Sequence, residues 1–497
     1  MTSPSDPSGV PDSSESQSPS DSPQSPAPTK KPRKRGTLAR TILLIRSNWI
    51  STTGALFSFF GFLSLVMTIL MEQAGVWSGP YLGIMTMIVF PALFLGGAAA
   101  IPVGLVLYRK RLHRRLEQLS DRPVYLVRAV IIVTIINVVA LGTIGSTGVH
   151  YMSSVQFCGS TCHQVMGPEA ATHAISGHAK VDCVACHVGP GAQAYFESKM
   201  NGTKQLYEVL TNKYRRPIPT PIERRRSARE TCETCHWSQK FQGTKLSVFT
   251  HFRDDEKVTP FTSVLLMKTG GNRPKDHATG IHWHIHPKSI VQYVATDEKL
   301  TEIPWIHVKR PDGTEATFAT KGVPLDPAPE GEKRTMDCID CHNRTAHDFE
   351  TAEDVVDKGL LEQHITTEIP FMRVHALDAI EKEWTSENVA TGILNALLES
   401  CGGDEGIAKE RLPLIKDAAA YLTKKWRQNV FPEMKIGWNL YDNHQSHEGC
   451  FRCHDDEHED AKGNVISKDC SLCHEVLSNE EPDPEVLKIF NGGGSKK

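Results

Sequence analysis

Long uncharged runs are confined to the N-terminal part of the chain, and they set its architecture. No residue from 47 to 71 is charged, and the apolar stretch 54–71 with its flanks is long enough to cross a bilayer as a helix. A second uncharged stretch covers residues 81–108 and a third runs from 129 to about 149, so the pattern predicts three membrane spans. Residues 30–46 hold seven Lys or Arg and no acid, and residues 109–122 hold six against two acids, which places both on the cytoplasmic side. The intervening loop, residues 72–81, carries Glu72 and no basic residue. Everything after His150 is then periplasmic, and the chain sits in a bacterial inner membrane with its N-terminus in the cytoplasm. A cleaved secretory signal would begin near residue 1, whereas the first apolar run here starts after residue 40.

Residues 1–29 are nearly all Ser, Pro, Asp, Gly and Gln without an aromatic residue. They cannot bury enough apolar surface to offset chain entropy, so residues 1–36 read as a disordered cytoplasmic tail ahead of a membrane domain at 37–149. Beyond the membrane the period changes. Residues 289–295 and 303–309 are strand-like, and a turn at Pro311, Asp312 and Gly313 leads into 314–320, which predicts a small antiparallel sheet. Val389, Ile393, Leu394, Leu397 and Leu398 recur at helical spacing, with residues 404–427 as the partner helix. Phe196, Met200, Tyr207 and Leu210 share one helical face, with Lys199, Lys204 and Glu208 nearby. Such a helix either lies at a membrane surface or packs on a cofactor.

Thirteen cysteines in an oxidising compartment first suggest disulfides. Spacing argues otherwise. Five pairs read Cys-x-x-Cys-His: Cys183, Cys186 and His187; Cys232, Cys235 and His236; Cys338, Cys341 and His342; Cys450, Cys453 and His454; Cys470, Cys473 and His474. A sixth, Cys158, Cys162 and His163, has three residues between its cysteines. Two thiols on one turn add to the two vinyl groups of a haem and the adjacent imidazole reaches the iron, so the pattern implies six covalently attached haem c groups. Zinc ribbons combine two pairs per metal and need no His after each pair. Cys401, followed by two glycines, reads as an inert thiol at a helix end.

Fifteen further histidines follow residue 149, more than a surface would carry by chance, so several should be sixth ligands. The candidates are His173, His178, His282, His284, His286, His347, His444, His447 and His458, with His251, His277 and His375 ranking lower. A strand at 281–287 would put His282, His284 and His286 on one face. Met166 behind the first motif is a candidate thioether ligand, or an ordinary core methionine. Arg224, Arg225, Arg226 and Arg229 could pair with haem propionates or lipid phosphates, or form an exposed basic loop. Motif spacing divides the periplasmic part into a tri-haem domain at 150–240, a β-containing insert without haem motifs at 241–335, and a helical tri-haem domain at 336–497. The fold class is therefore three transmembrane α-helices followed by a mainly α, loop-rich multihaem cytochrome c domain with a small antiparallel β insert.

Residues 157–236 resemble the NapC/NirT family of membrane-anchored quinol dehydrogenases. The likeness rests on a first motif just after a membrane span with Met166 behind it, on the run 176–187, and on the helix from Lys199 to Leu210. The longer chain looks like inner-membrane cytochromes of metal-respiring anaerobic bacteria. The resemblance implies that a haem beside the membrane takes electrons from menaquinol, with Met166 as axial ligand, His178 as a distal ligand and Lys199 at the quinol site. Glu169, Glu197 or Glu208 would supply the acid that the family carries on that helix. Expected partners are the quinol pool, membrane lipid and a periplasmic electron-acceptor protein such as another cytochrome. Nucleic acid is not among them, since the basic runs are explained by membrane orientation and the net charge is −3. Two alternatives remain at this point: a passive relay fed by another membrane protein, and a reductase with an open haem position.

Overall fold

The computed structural model describes residues 45–73, 85, 89–110, 139, 143, 146–148, 150–161, 163–189, 192–220, 227–237, 243–272, 278–402 and 410–490. The expected tail at 1–36, most of the third span, Cys162, His277 and the arginines at 224–226 lie outside them. Among the described residues two helices, α1 (Trp49–Gln73) and α2 (Phe90–Leu107), are long and apolar enough to cross a membrane, where the sequence pattern predicted three. They meet at small residues, because lipid gives helices no hydrophobic reason to associate and close backbone approach must do so. A Cβ on Gly54 would stand 2.7 Å from the Gly97 carbonyl oxygen. Ser51 Oγ donates to the Ile101 carbonyl at 2.8 Å, and Trp49 Nε1 donates to the Tyr108 hydroxyl at 3.0 Å. Leu56, Phe57 and Phe60 are exposed, as side chains that face acyl chains should be.

The residues from Val138 onward belong to a second compact unit. Its first part is helical, with α3 (His163–Ile175), α4 (Cys183–His187), α5 (Ala192–Leu210) and α6 (Ala228–Cys232). Two larger antiparallel sheets follow, besides a short two-stranded pairing of Gly271–Asn272 with Ala278–Thr279. Strands β1 (Lys245–Phe252) and β2 (Pro260–Met267) form a hairpin, and β3 (Ile290–Ala295), β4 (Trp305–Lys309), β5 (Glu315–Ala319) and β6 (Glu332–Thr335) form a four-stranded sheet in the order β5-β4-β3-β6. The strands expected at 289–295, 303–309 and 314–320 are thus present. The unit is more mixed than the mainly helical fold expected, because β7 (His474–Glu481) grows directly out of the last Cys-x-x-Cys-His and pairs with β2.

A haem-free helical lobe packs against the hairpin. After α7 (Cys338–Cys341) come α8 (Ala352–Leu361), α9 (Met372–Glu381), α10 (Val389–Ser400) and α11 (Leu412–Asn429), and later α12 (His447–Cys450). Val389, Ile393 and Leu397 are fully buried against Ile415, Leu422 and Trp426, as the helical spacing required. One charged network ties this lobe to β1. Asp357, buried on α8, accepts from Arg373 Nε at 2.7 Å and lies 2.9 Å from His251 Nδ1 on β1, while Arg373 Nη1 donates to Asp254 at 2.6 Å. Removing one partner of a buried pair leaves the other charge uncompensated. Arg373→Ala should therefore destabilise the protein by about 3 kcal/mol, seen as a lower urea midpoint in circular dichroism of the full chain in detergent.

Candidate haem sites

The described Cys-x-x-Cys-His segments are single helical turns, which in the second to fifth motifs bring the histidine back beneath the first cysteine; in the sixth the turn closes at Cys473 and His474 starts β7. The backbone hydrogen bonds His236 N to Cys232 O at 2.7 Å, His342 N to Cys338 O at 2.8 Å and His454 N to Cys450 O at 3.0 Å close these turns. Twelve described cysteines are free thiols, so the five complete motifs have both sulfurs available for thioether bonds. Cys158 lies in a helical turn at Phe157–Thr161, and His163 begins α3.

Opposite each of the five later motif histidines stands a second imidazole. Ring centroids are 6.3 Å apart for His187 and His347, 5.9 Å for His236 and His178, 6.3 Å for His342 and His282, 6.0 Å for His454 and His284, and 6.2 Å for His474 and His447. Two imidazoles bonded through Nε2 at about 2 Å on opposite sides of one metal ion have centroids about 6 Å apart. The spacing therefore leaves room for an iron, and the residues fit haem c.

Hydrogen bonding gives an independent reason. A ligating histidine keeps its proton on Nδ1, held by an outer acceptor, and offers Nε2 to the metal. Nδ1 of His178 lies 3.1 Å from the Thr345 carbonyl, that of His282 2.9 Å from Thr269, that of His284 2.7 Å from Ile281, and that of His347 3.0 Å from Glu169. On the motif side, Nδ1 of His454 lies 2.8 Å from the Ser467 carbonyl; His342 differs, since the atom 2.7 Å from its Nδ1 is the Gln445 side-chain nitrogen, a donor. Burial pushes His284 and His347 down to about 4, so both rings stay neutral and able to bind metal at neutral pH.

The run around residue 284 is not a strand, the geometry that would have put all three histidines on one face. Residues Ile281–Ile285 form a 3-10 helix, in which positions two apart point to different sides because a turn takes about three residues. His282 therefore meets the fourth motif and His284 the fifth. His286 accepts from Lys288 N at 3.1 Å. His458 is corrected from candidate ligand to core residue: Nδ1 is held by Asp455 at 2.9 Å and Nε2 by the Ile303 carbonyl at 2.6 Å, so no lone pair is left for iron. His251 is likewise engaged by Asp357. His444 is buried with Nδ1 3.1 Å from the Asp340 carbonyl, and His173 is buried 6.3 Å from His347 with Nδ1 unpartnered.

The motifs adjoin one another in chain order. Cys186 feels Cys232 and Cys235, Cys232 hydrogen-bonds Cys338, Cys341 feels Cys450, and Cys473 feels Cys450. At the other end, Met166 packs with Val165, Met434 and Tyr441. Glu169, three residues and nearly one turn further on, is buried with one carboxylate oxygen unpartnered, and burial raises it to about 7. On α5 the positions Phe196, Met200, Tyr207 and Leu210 are 66%, 57%, 58% and 48% exposed, so the apolar stripe is not packed on protein. Lys199 belongs to the same helix, and Glu208 pairs with Lys204 at 3.6 Å. Arg229 donates to the Ile285 carbonyl at 2.6 Å.

Thiol pairs on helical turns, each with an imidazole facing another across a metal-sized gap, define a c-type cytochrome. Residues 121–247 match the model of the NapC/NirT cytochrome c family, N-terminal region. The cytochrome c-type protein ImcH of Geobacter sulfurreducens is 35% identical over 465 residues, covering 89% of this chain and 91% of that protein. The cytochrome c nitrite reductase subunit NrfH of Nitratidesulfovibrio vulgaris is 31% identical over 102 residues, 20% of this chain and 62% of that protein. No solved structure matches. The chain belongs to the NapC/NirT family of membrane-anchored c-type cytochromes.

Distal assignments make a sharp contrast. His282→Ala should leave one iron five-coordinate, giving a high-spin signal and carbon monoxide binding in a single haem, whereas His458→Ala should leave every ligand set unchanged. Identical carbon monoxide spectra for the two variants would contradict the pairing.

Proposed function

We propose that this protein oxidises menaquinol at the outer face of a bacterial inner membrane and delivers the electrons to a periplasmic acceptor, most simply another cytochrome. The observation that carries the reading is the unbroken succession of motifs, each thiol pair beside the next from Cys183 to Cys473. When bound, six haem c groups would supply one-electron redox chemistry at that succession. Family membership supports a quinol donor, and a third span at 129–149 would complete the anchor.

The chain's own residues bind and orient. Twelve cysteines in six motifs hold the groups, with His163, His187, His236, His342, His454 and His474 as proximal ligands. His178, His282, His284, His347 and His447 serve the last five motifs from the far side, and Met166 is assigned to the first. At the last five motifs paired imidazoles leave no open position for a substrate, which disfavours a reductase there. The exposed stripe of α5 suits the headgroup boundary of a bilayer, with Lys204 reaching phosphates. On that helix we assign Lys199 to holding the quinol oxygen, with Glu169 and Glu208 as the carboxylates that take its protons outward. The order of domains, 37–149, 150–240, 241–335 and 336–497, then runs from donor to acceptor.

Reduction of the detergent-solubilised protein by a menaquinol analogue, followed through the haem bands, tests this. Lys199→Ala should slow it about 100-fold while dithionite still reduces every haem. Failure of the unmodified protein to accept electrons from quinol, with full reduction by dithionite, would favour a relay fed by another membrane protein.

A further inference from the structure

The residues between the cysteines of a haem motif are free to vary, and in three adjacent motifs one of them is charged: Glu233 in the third, which pairs with Arg229 at 3.7 Å, and one residue each in the fourth and fifth. Asp340 lies inside the fourth motif, two residues before His342, and Arg452 lies inside the fifth, two before His454. Asp340 is 3% exposed. Its carboxylate accepts the Asp337 backbone N–H at 2.7 Å and the Tyr293 hydroxyl at 2.7 Å, so each oxygen acts as an acceptor, as in an ionised carboxylate. Arg452 donates from Nη2 to the Asp340 carbonyl at 2.7 Å, from Nη1 to the Leu300 carbonyl at 2.7 Å and from Nε to the Gly449 carbonyl at 2.9 Å. Those three hydrogen bonds go to neutral carbonyls, so they fix the guanidinium in place without cancelling its charge. The two motifs are thus clasped together with a fixed negative group at one and a fixed positive group at the other.

We propose that Asp340 and Arg452 are positioning residues that make electron passage from the fourth motif to the fifth downhill, by lowering the reduction potential at the fourth and raising it at the fifth. The inference rests on reading these motifs as haem sites. A buried anion stabilises the oxidised, more positive iron, and a buried cation stabilises the reduced one. Partial burial keeps solvent from screening either charge. Passage moves one electron, forms and breaks no bond and requires no proton. Because the motifs adjoin in chain order, the bias points away from the membrane-proximal end of the sequence and toward Cys473. The thiols register both charges: at Cys341 Asp340 raises and Arg452 lowers, whereas at Cys450 and Cys453 Arg452 lowers against the upward effect of their burial with no contribution from Asp340. Asp337 adds to the negative side, and its second oxygen accepts from Ala228 N at 3.1 Å, fastening the third motif to the fourth.

Spectroelectrochemical titration of the haem-loaded full chain tests the proposal. Asp340→Asn should move one component to a more positive potential and leave the others in place, and Arg452→Gln should move a different component to a more negative one. Tyr293→Phe, which removes a donor from the Asp340 carboxylate while keeping the ring in the sheet core, should move the Asp340-sensitive component negative. Arg452→Lys should hold the fifth component closer to its original position than Arg452→Gln. Unchanged titrations in fully loaded, folded Tyr293→Phe and Arg452→Gln proteins would overturn the clasp alone. Failure of the unmodified chain to take up covalent haem at the fourth and fifth motifs would overturn the haem reading and the clasp with it.

Discussion

An imidazole can offer Nε2 to a metal only while its other nitrogen keeps the proton, and that proton needs an acceptor in a fixed place. Four of the distal histidines lie beside such an acceptor, each a backbone carbonyl: Thr345 for His178, Thr269 for His282, Ile281 for His284 and Glu169 for His347. Much of the second unit is organised around delivering those carbonyls. The 3-10 helix exists between the sheets so that two neighbouring rings can face two different motifs, and β2 runs straight into the Thr269 carbonyl. Small apolar clusters, rather than one large core, fill what remains.

This arrangement explains why so long a chain carries a haem-free helical lobe. Motif segments of four or five residues cannot bury enough surface to hold a shape. Continuous apolar packing occurs where no motif intervenes, in α8 to α11, and the buried Arg373–Asp357 pair transmits that rigidity to β1 and hence to the sheet that β7 joins. The last motif is held by that sheet from one side and by the fifth motif from the other.

Local features were legible in the sequence and long-range ones were not. Thiol attachment needs only a turn, so Cys-x-x-Cys-His declares it, and the strands at 290–295 and 305–309 show in their own alternation. The pairing of His178 with His236, or of His347 with His187, depends on contacts such as that between His178 and Thr345, 167 residues away. Spacing cannot report it. Which motif each of the histidines at 282–286 faces was likewise out of reach, because alternation of polar and apolar residues over so few positions does not distinguish a strand from a 3-10 turn. His458 looked like a ligand for want of the Ile303 carbonyl that occupies its Nε2. Asp340 and Arg452 stood in plain sight between motif cysteines, but nothing in the sequence brought them together.

The central claim is that five pairs of imidazoles each face one iron. Anomalous diffraction at the iron edge, on crystals of the haem-loaded protein, locates every iron without reference to the ligands. The account predicts peaks midway between His187 and His347, His236 and His178, His342 and His282, His454 and His284, and His474 and His447. Iron lying beside a motif histidine with a different residue, or none, on its far side would contradict it.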